Sequence, residues 1–380
     1  MPCTTGRHSQ QEPPLATVDL TVRGAGIFGL ATAWMAQGRG ARVRVVDPNG
    51  VASGSSGGIV GALQPHTPDV WNDKKQFQFQ ALTMAPGFWQ DIEAISGLAT
   101  GFAKAGRLQP LPGEREVVMA RARAKGAAEF WGDTATWRVL ETEQTGNWRP
   151  PSDTGLYIHD TLSALIHPRR ACESLAAAIT ARGGEITKEA PDQGLTLWAT
   201  GWQGLQDLNT AFDRTIGNGV KGQAALLQYN AAGQPQIFAA GIHIVPHLDG
   251  TVAIGSTSER DFTDPNTTDH LLDDVVQRAK DLMPVLKDAP VIDRWAGVRP
   301  RAKSRAPLLG AWPGRKDHFV ANGGFKIGFG VAPMIAQTMC DLMLDGQDTI
   351  PTDFRLTVLS LIHISEPTRP RRQSRMPSSA

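Results

Sequence analysis

Thr17-Val-Asp-Leu-Thr-Val22, followed by Arg23-Gly24-Ala25-Gly26-Ile27-Phe28-Gly29 and then Leu30-Ala-Thr-Ala-Trp-Met35, is the stretch that decides the fold. Its first six residues read as a short buried strand, the spaced glycines as a turn, and the apolar run from Leu30 to Met35 as a helix opening where the turn ends. The order has a physical meaning. Gly24 permits the tight turn, Gly26 lets backbone approach a diphosphate, and Gly29 lets helix pack close on strand, so that free amides and the helix dipole face negative charge. Gly38 and Gly40 close the helix, Arg42 to Val46 reads as a second strand, and Asp47 stands at its end, 18 residues beyond Gly29, where a carboxylate accepts ribose hydroxyls. This is a dinucleotide-binding unit, and alone it does not separate FAD from NAD.

The next segment bears on that choice. Ala52-Ser53-Gly54-Ser55-Ser56-Gly57-Gly58 offers hydroxyls and bare backbone just past the ribose-binding strand, and apolar residues resume at Ile59 and Val60, which a solvated linker has no reason to carry. Further on stand Ile166-His-Pro168 before a helical run, Ala199-Thr200-Gly201-Trp202 after an apolar strand, Trp295-Ala-Gly-Val-Arg299-Pro300, and Gly323-Gly324-Phe325-Lys326-Ile-Gly328 ahead of Ala332-Pro333. Between them, Lys74 to Ile95 shows a helical pattern interrupted at Pro86-Gly87. Glu114 to Phe130 reads as a helix with Val117, Val118 and Met119 inward, and Pro168 to Arg182 as an amphipathic helix. Lys221 to Gln228 and Gly241 to Gly255 alternate as antiparallel strands do, with a hairpin turn at Leu248-Asp249-Gly250. Thr268 to Met283 reads as a helix with Leu271, Leu272, Val275, Val276 and Leu282 inward.

Taken together, these segments resemble the D-amino-acid-oxidase-like family of FAD-dependent oxidoreductases, the group of glycine oxidase, sarcosine oxidase and D-amino-acid dehydrogenases, over nearly all of Val18 to Leu344. The resemblance implies an α/β fold: a Rossmann-like FAD-binding domain in residues 17–80, 160–205 and 295–358, and an α+β substrate domain on an antiparallel sheet in residues 81–159 and 206–294. One departure is visible, since only about a dozen residues join Ile186 to Leu195, where the family inserts a small antiparallel meander. The cofactor implied is FAD, held non-covalently by Gly24 to Gly29, Asp47, Ser53, Ser55, Ser56, Gly57, Gly58, Ala199, Thr200, Gly201, Gly323, Gly324, Phe325, Lys326 and Gly328.

The chemistry implied is oxidation of the C–N bond of a small amino acid or secondary amine by hydride transfer to flavin, with oxygen or a quinone or carrier as acceptor. Such chemistry needs a carboxylate held in a dry site, for which the planar fork of arginine is suited. Arg299 matches the family's carboxylate-binding position, with Arg301 and Arg305 as nearby alternatives. Lys326 either adds positive charge at the flavin or faces solvent. His243 and His247 fall on one face of an expected strand, which suits pocket lining, a structural role or a ligand pair lacking a third member. Tyr157 and Tyr229, the only tyrosines, are candidate pocket hydroxyls. Two other functions stay open: an oxidase acting on a carboxymethyl group of tRNA wobble uridine, suggested by Gly61-Ala-Leu63 with Pro65, and a flavin-binding module without turnover.

Composition narrows the field further. The chain has 380 residues, 41% apolar and 20% charged, with a formal net charge of +1, which suits a globular protein and gives no electrostatic case for nucleic acid. Cys3, Cys172 and Cys340 have no paired spacing, so neither a disulfide framework nor a thiolate metal site is expected. Residues 1–16 read as a loose polar leader, and no segment is apolar over a membrane's thickness, so a cytoplasmic protein is expected. Leu359 to Arg369 and Ser374 to Ala380 resemble an in-frame sequencing-adapter translation, so residues 359–380 read either as a foreign tail or as a natural basic one; without them the formal charge would be −2.

Overall fold

The computed structural model describes residues 18–356, so the expected leader and the expected tail lie outside the described residues. Strand β1 (Leu20–Arg23) runs between two parallel partners, β2 (Val43–Val46) and a strand far along the chain, β9 (Leu195–Trp198). A strand buried on both faces carries apolar or hydrogen-bonded side chains at successive positions: Leu20, Thr21 and Val22 are wholly inaccessible, and the Thr21 hydroxyl donates to the Gln193 carbonyl at 2.8 Å. Parallel pairing continues outward to β8 (Glu185–Thr187) on one side and β16 (His318–Asn322) on the other, where β15 (Leu308–Ala311) adds an antiparallel edge. Residues 188–194, joining β8 to β9, form no strand, so the meander the family resemblance implies there is replaced by a direct link.

Helix α1 (Ile27–Gly38) follows β1 and packs with α2 (Asp73–Ser96), α4 (Pro168–Ala181) and α7 (Gly328–Asp345) into one apolar layer. Trp89, Ile92, Leu175, Ile179, Ile335 and Met339 are among its sealed side chains. The break expected at Pro86-Gly87 does not occur, and α2 runs through Pro86. Proline inside a helix costs about 3 kcal/mol, but Ala81, Leu82, Ala85, Phe88 and Trp89 around it are all buried, and burial of large side chains contributes about 1.5–3 kcal/mol each. The helix stops instead at Gly97, whose φ of 69° only glycine adopts without strain.

A second sheet carries eight strands in the order β14, β10, β13, β12, β11, β4, β6, β5. Its members are β4 (Arg107–Pro110), β5 (Trp137–Glu141), β6 (Leu156–Asp160), β10 (Gly217–Gln228), β11 (Gln236–Ala239), β12 (Ile242–Pro246), β13 (Thr251–Gly255) and β14 (Val291–Ala302). Every neighbouring pair is antiparallel except β11 with β4, joined in parallel at Gln236 with Arg107 and Ile237 with Leu108. A two-stranded ladder of β3 (Ala62–Leu63) and β7 (Ala164–Leu165) ties the two sheets' connections together. The segment carrying Arg299, which the sequence reading assigned to the cofactor side, is the edge strand β14 of this second sheet.

Helices α3 (Glu114–Phe130), α5 (Gly201–Ala211) and α6 (His270–Leu282) complete the layers. Helical phase corrects two inward assignments: Val118 is 59% exposed because the buried stripe of α3 is Val117, Ala120 and Ala127, and Leu271 is 37% exposed beside buried Leu272, Val275 and Ala279. No helix among the described residues is long and apolar enough to cross a membrane.

His167 caps α4 and its ring lies 4.6 Å from that of His247, next to the β12–β13 turn. With Asp249 these rings bring potential ligand atoms within 4.8 Å of one another, yet Asp249 is engaged by Arg170 at 2.7 Å and by Thr251. Burial pushes both imidazoles down to about 4, with Arg170 adding to the effect on His167 and His167 to that on His247. Both rings are therefore neutral when folded.

Two predictions follow from this packing. In Gly29→Ala the added methyl would lie 2.0 Å from the Gly24 carbonyl oxygen, so urea unfolding should show a loss of roughly 1–3 kcal/mol, the usual cost of overpacking; an unchanged midpoint would contradict the close seat of α1. For the histidines, the unfolded chain takes up protons near the ordinary value of about 6.5 and the folded one only near 4. Their contribution is thus complete above about pH 6.5 and lost as pH falls toward 4, with up to about two extra protons bound on unfolding. His247→Asn should flatten that dependence in urea midpoints measured between pH 7.5 and 4.5.

Candidate functional site

Gly24 has φ of 107°, and a β-carbon there would lie 2.4 Å from the Ala199 carbonyl oxygen. Only bare backbone lets the β1–α1 turn nest against the end of β9. The turn is fastened by Asp47, whose Oδ2 accepts from the Ala25 amide at 2.9 Å while Oδ1 accepts from Asn49 at 3.0 Å. Ser56 Oγ accepts from the Ile27 amide at 3.0 Å, and a β-carbon on Gly26 would approach that hydroxyl to 3.1 Å. The amides opening α1 therefore face Ser56 and open space, without a side-chain cap on Gly26 itself.

A second glycine turn stands at the far end of the same groove. Gly323, at φ of 75°, donates its amide to Asn322 Oδ1 at 2.7 Å, and Asn322 Nδ2 donates to the Gly201 carbonyl at the start of α5. A β-carbon on Gly324 would lie 2.6 Å from the Phe28 ring, so a side chain of α1 packs beneath the turn that starts α7. Phe325 donates its amide to the Pro300 carbonyl at 3.0 Å, linking this turn to β14. Two helix N-termini thus open on one groove of about 1170 Å³, which extends from Asp47 and Lys188 to Lys326 and His243.

The floor at the second end is the face of the eight-stranded sheet. Alternation puts Trp295, Gly297 and Arg299 of β14 on that face, with Gly222 and Ala224 of β10 opposite them. Trp295, Ala224, Gly255 and His243 then form one row across four strands. Bare backbone makes room for large side chains to lie flat: the indole of Trp295 covers Gly297, and the guanidinium of Arg299 covers Gly222, where a β-carbon would meet Nη1 at 2.0 Å.

Arg299 donates through Nη2 to Ser256 Oγ at 2.7 Å and through Nη1 to the Thr257 carbonyl at 3.2 Å. Among the described residues it has no carboxylate within ion-pair distance. Burial lowers it to about 10, with Glu259 opposing, so it stays charged. Lys326 is lowered by burial first and by Arg299 and Arg301 next.

Of the expected cofactor residues, Gly24, Gly26, Ile27, Phe28, Asp47, Ser53, Ser55, Ser56, Gly58, Ala199, Thr200, Gly201, Gly324, Phe325, Lys326 and Gly328 line the groove, and so does Arg299. Ala25, Gly29, Gly57 and Gly323 lie behind it and shape the turns; Gly57, for one, leaves room for the Ala52 carbonyl, 2.3 Å from where its β-carbon would be. Arg301 and Arg305 are outside the groove, with Arg301 set 5.5 Å from the Phe325 ring. Tyr157 is buried with its hydroxyl donating to the Pro150 carbonyl, and Tyr229 stacks on Trp148, so neither tyrosine reaches the groove. His243 lines it and His247 does not. Gly222 and Ser256 enter the site without having been singled out, and Trp295 was named only as the start of the segment that carries Arg299. For Gly222 and Trp295 the signal was the two-residue alternation of β10 and β14, readable only once the strands' pairing is known, whereas Ser256 follows the end of β13.

The groove also fits the cofactor the sequence implies: an acid at one end, uncapped amides and glycine backbone in the middle, and a second helix N-terminus at the other end suit a nucleotide, a diphosphate and a flavin in turn.

Comparison with known proteins gives the same reading. The profile of the FAD dependent oxidoreductase family, DAO, matches residues 19–342. The chain is 28% identical over 387 residues to the bifunctional protein ThiO/ThiG of Synechocystis sp., covering 93% of this chain and 54% of that protein, so it spans about half the length of that relative. It is 25% identical over 374 residues to glycine oxidase of Pseudomonas aeruginosa, covering 85% and 94%. In fold it is similar to glycine oxidase from Geobacillus kaustophilus, with TM-score 0.79, 19% identity and coverage of 90% and 98%. Iminodiacetate oxidase from Chelativorans sp. gives TM-score 0.78, 18% identity and coverage of 88% and 98%. A match that runs from β1 into α7, through both glycine turns, leaves one conclusion: the chain belongs to the DAO family of FAD-dependent oxidoreductases.

Proposed function

We propose that this protein oxidises the C–N bond of a small amino acid or related secondary amine, with a glycine-like or D-amino-acid-like substrate. The observation that carries the reading is Arg299: a half-buried, charged guanidinium with no carboxylate partner among the described residues, lying flat over Gly222 at the Gly324 end of the groove. A buried charge left without a counter-charge is costly, and a substrate carboxylate supplies one through two parallel hydrogen bonds. The resemblance to glycine oxidase of Pseudomonas aeruginosa supports the substrate class.

In this reading FAD lies non-covalently along the groove and, when bound, supplies the two-electron acceptor. Asp47 takes the ribose end, the amides from Gly26 to Phe28 take the diphosphate, and the turn from Gly324 to Gly328 takes the flavin ring. Neither Cys172 nor Cys340 lines the groove. Arg299 fixes the carboxylate, so the carbon bearing nitrogen is carried to one place above the sheet floor. Lys326 contributes positive charge beside it, and a nearby cation disfavours the substrate's ammonium form, leaving the amine neutral. The six-stranded sheet with its helices acts as the cofactor unit and the eight-stranded sheet as the substrate unit. Oxygen or a quinone or carrier takes the electrons onward. The Gly61-Ala-Leu63 segment that suggested a tRNA substrate has a packing explanation, because a β-carbon on Gly61 would lie 1.8 Å from the Ile166 carbonyl oxygen.

The reading is tested by colour. Purified protein should carry flavin that bleaches anaerobically with one or more of glycine, sarcosine, proline and D-amino acids, and flavin that no amine reduces would refute it. Arg299→Ala should raise KM for carboxylate substrates on the order of a hundredfold, as loss of a charged hydrogen-bonding partner does, while FAD stays bound. Gly222→Ala should raise KM about tenfold or more by displacing the guanidinium, and wild-type kinetics in that variant would show that Arg299 is not held where described.

A further inference from the structure

His243 faces the groove, and the hydrogen bonds behind it determine which of its nitrogens carries the proton. Arg107 donates Nη1 to one end of the Gln64 amide at 3.3 Å. Arginine can only donate, so that end is the oxygen. The Gln64 nitrogen then faces Gln236 Oε1 at 2.8 Å and His243 Nδ1 at 3.1 Å. The far side of the network requires the same orientation independently: Gln236 Nε2 lies against two carbonyls, of Leu63 at 3.3 Å and Ala164 at 2.7 Å, so its oxygen must be the atom turned toward Gln64. A ring nitrogen facing an amide N–H accepts, and Nδ1 is therefore unprotonated.

The network is anchored deep in the protein. Arg107 Nε lies 2.9 Å from Asp160 Oδ2, with Arg107 and Asp160 both buried, and Asp160 Oδ1 accepts from the Ser163 amide. Gln78 of α2 donates to the Gln64 carbonyl at 2.9 Å, fixing the backbone as well. Burial lowers His243 to about 4, and Lys326, Arg107 and Arg299 act in the same direction, so the ring is neutral and its one proton is on Nε2. Among the described residues no group bonds Nε2, and the ring lines the groove on β12 at the position paired with Gly255, whose neighbour Ser256 carries the hydroxyl that holds Arg299.

We propose that Gln64 locks His243 as an Nδ1-acceptor so that its Nε2–H binds an oxygen of the substrate carboxylate beside Arg299. His243 is then a specificity-determining residue, and Gln64 and Arg107 are positioning residues acting through it. The role is that of a neutral donor and not of a general base, since the nitrogen turned to the substrate has no free lone pair. The inference rests on the reading of this groove as an amino-acid site.

The test uses the FAD-loaded protein, with acetate as the carboxylate probe and the flavin absorbance change as the measure of Kd. His243→Leu should weaken acetate roughly ten- to a hundredfold, and His243→Gln, whose amide nitrogen can occupy the place of Nε2, should recover most of the loss. In protein labelled with 15N-histidine, the ring signal that disappears in His243→Gln should show Nδ1 unprotonated, and Gln64→Leu should bring in the Nδ1-protonated form while weakening acetate severalfold. A wild-type ring protonated on Nδ1, or His243→Leu binding acetate as tightly as wild type, overturns the proposal. Acetate that binds neither the wild-type holoprotein nor any variant overturns the amino-acid reading itself, which separates the two failures.

Discussion

The Phe28 ring beneath the bare backbone of Gly324 is the contact on which the rest of the site depends. It joins the first turn of α1 to the turn that starts α7, two elements separated by most of the chain, and the apolar layer of α1, α2, α4 and α7 holds that contact from behind. Because a helix presents free amides only at its N-terminus, bringing two such ends to one groove gives an extended ligand two separate places to rest negative charge. A methyl group at position 324 would push them apart. The close approach of the two turns rests on this one piece of missing volume.

The end of the groove near Gly324 follows a related rule. Gly222 and Gly297 remove side chains from the sheet floor so that Arg299 and Trp295 can lie along it, and the guanidinium comes to rest on Ser256 and Thr257, not on an acid. Had an aspartate stood within reach, the ion pair would have satisfied the arginine and left little for a ligand. Glu259 contributes only a distant field, opposing burial without neutralising the charge. The site keeps its cation available by denying it a close partner, and the hydroxyl and carbonyl it does contact hold its direction.

How much of this was readable in advance depended on the range of the interaction. The β1–α1 unit with Asp47 is local, with strand, turn and helix adjacent in the chain, and its periodicity was sufficient to place it. Arg299 was found through a motif, but its membership of an edge strand of the second sheet was not, because pairing with β10 is decided by residues some seventy positions earlier. The continuation of α2 through Pro86 was hidden for a similar reason: local propensity argues for a break, and the burial that overrides it comes from α7 and α4. Val118 and Leu271 were misplaced by one helical step, which composition cannot resolve when apolar residues stand side by side. The Gln64 to His243 network gave no signal at all, since its members lie at positions 64, 107, 160, 236 and 243 and share only a place in space.

The parallel pairing of β11 with β4 brings in the order of synthesis. It spans two residue pairs and is the only seam joining the strands of residues 107–160 to those of residues 217–302. A chain emerging from the ribosome completes β4, β5 and β6 early, and they must wait, one edge unsatisfied, until Gln236 and Ile237 arrive well after Asp160 has ended β6. β1 waits longer still, from Leu20 until Leu195, for β9. Neither sheet can close from its N-terminal half alone, so the groove that both sheets border takes shape only after the late strands have joined.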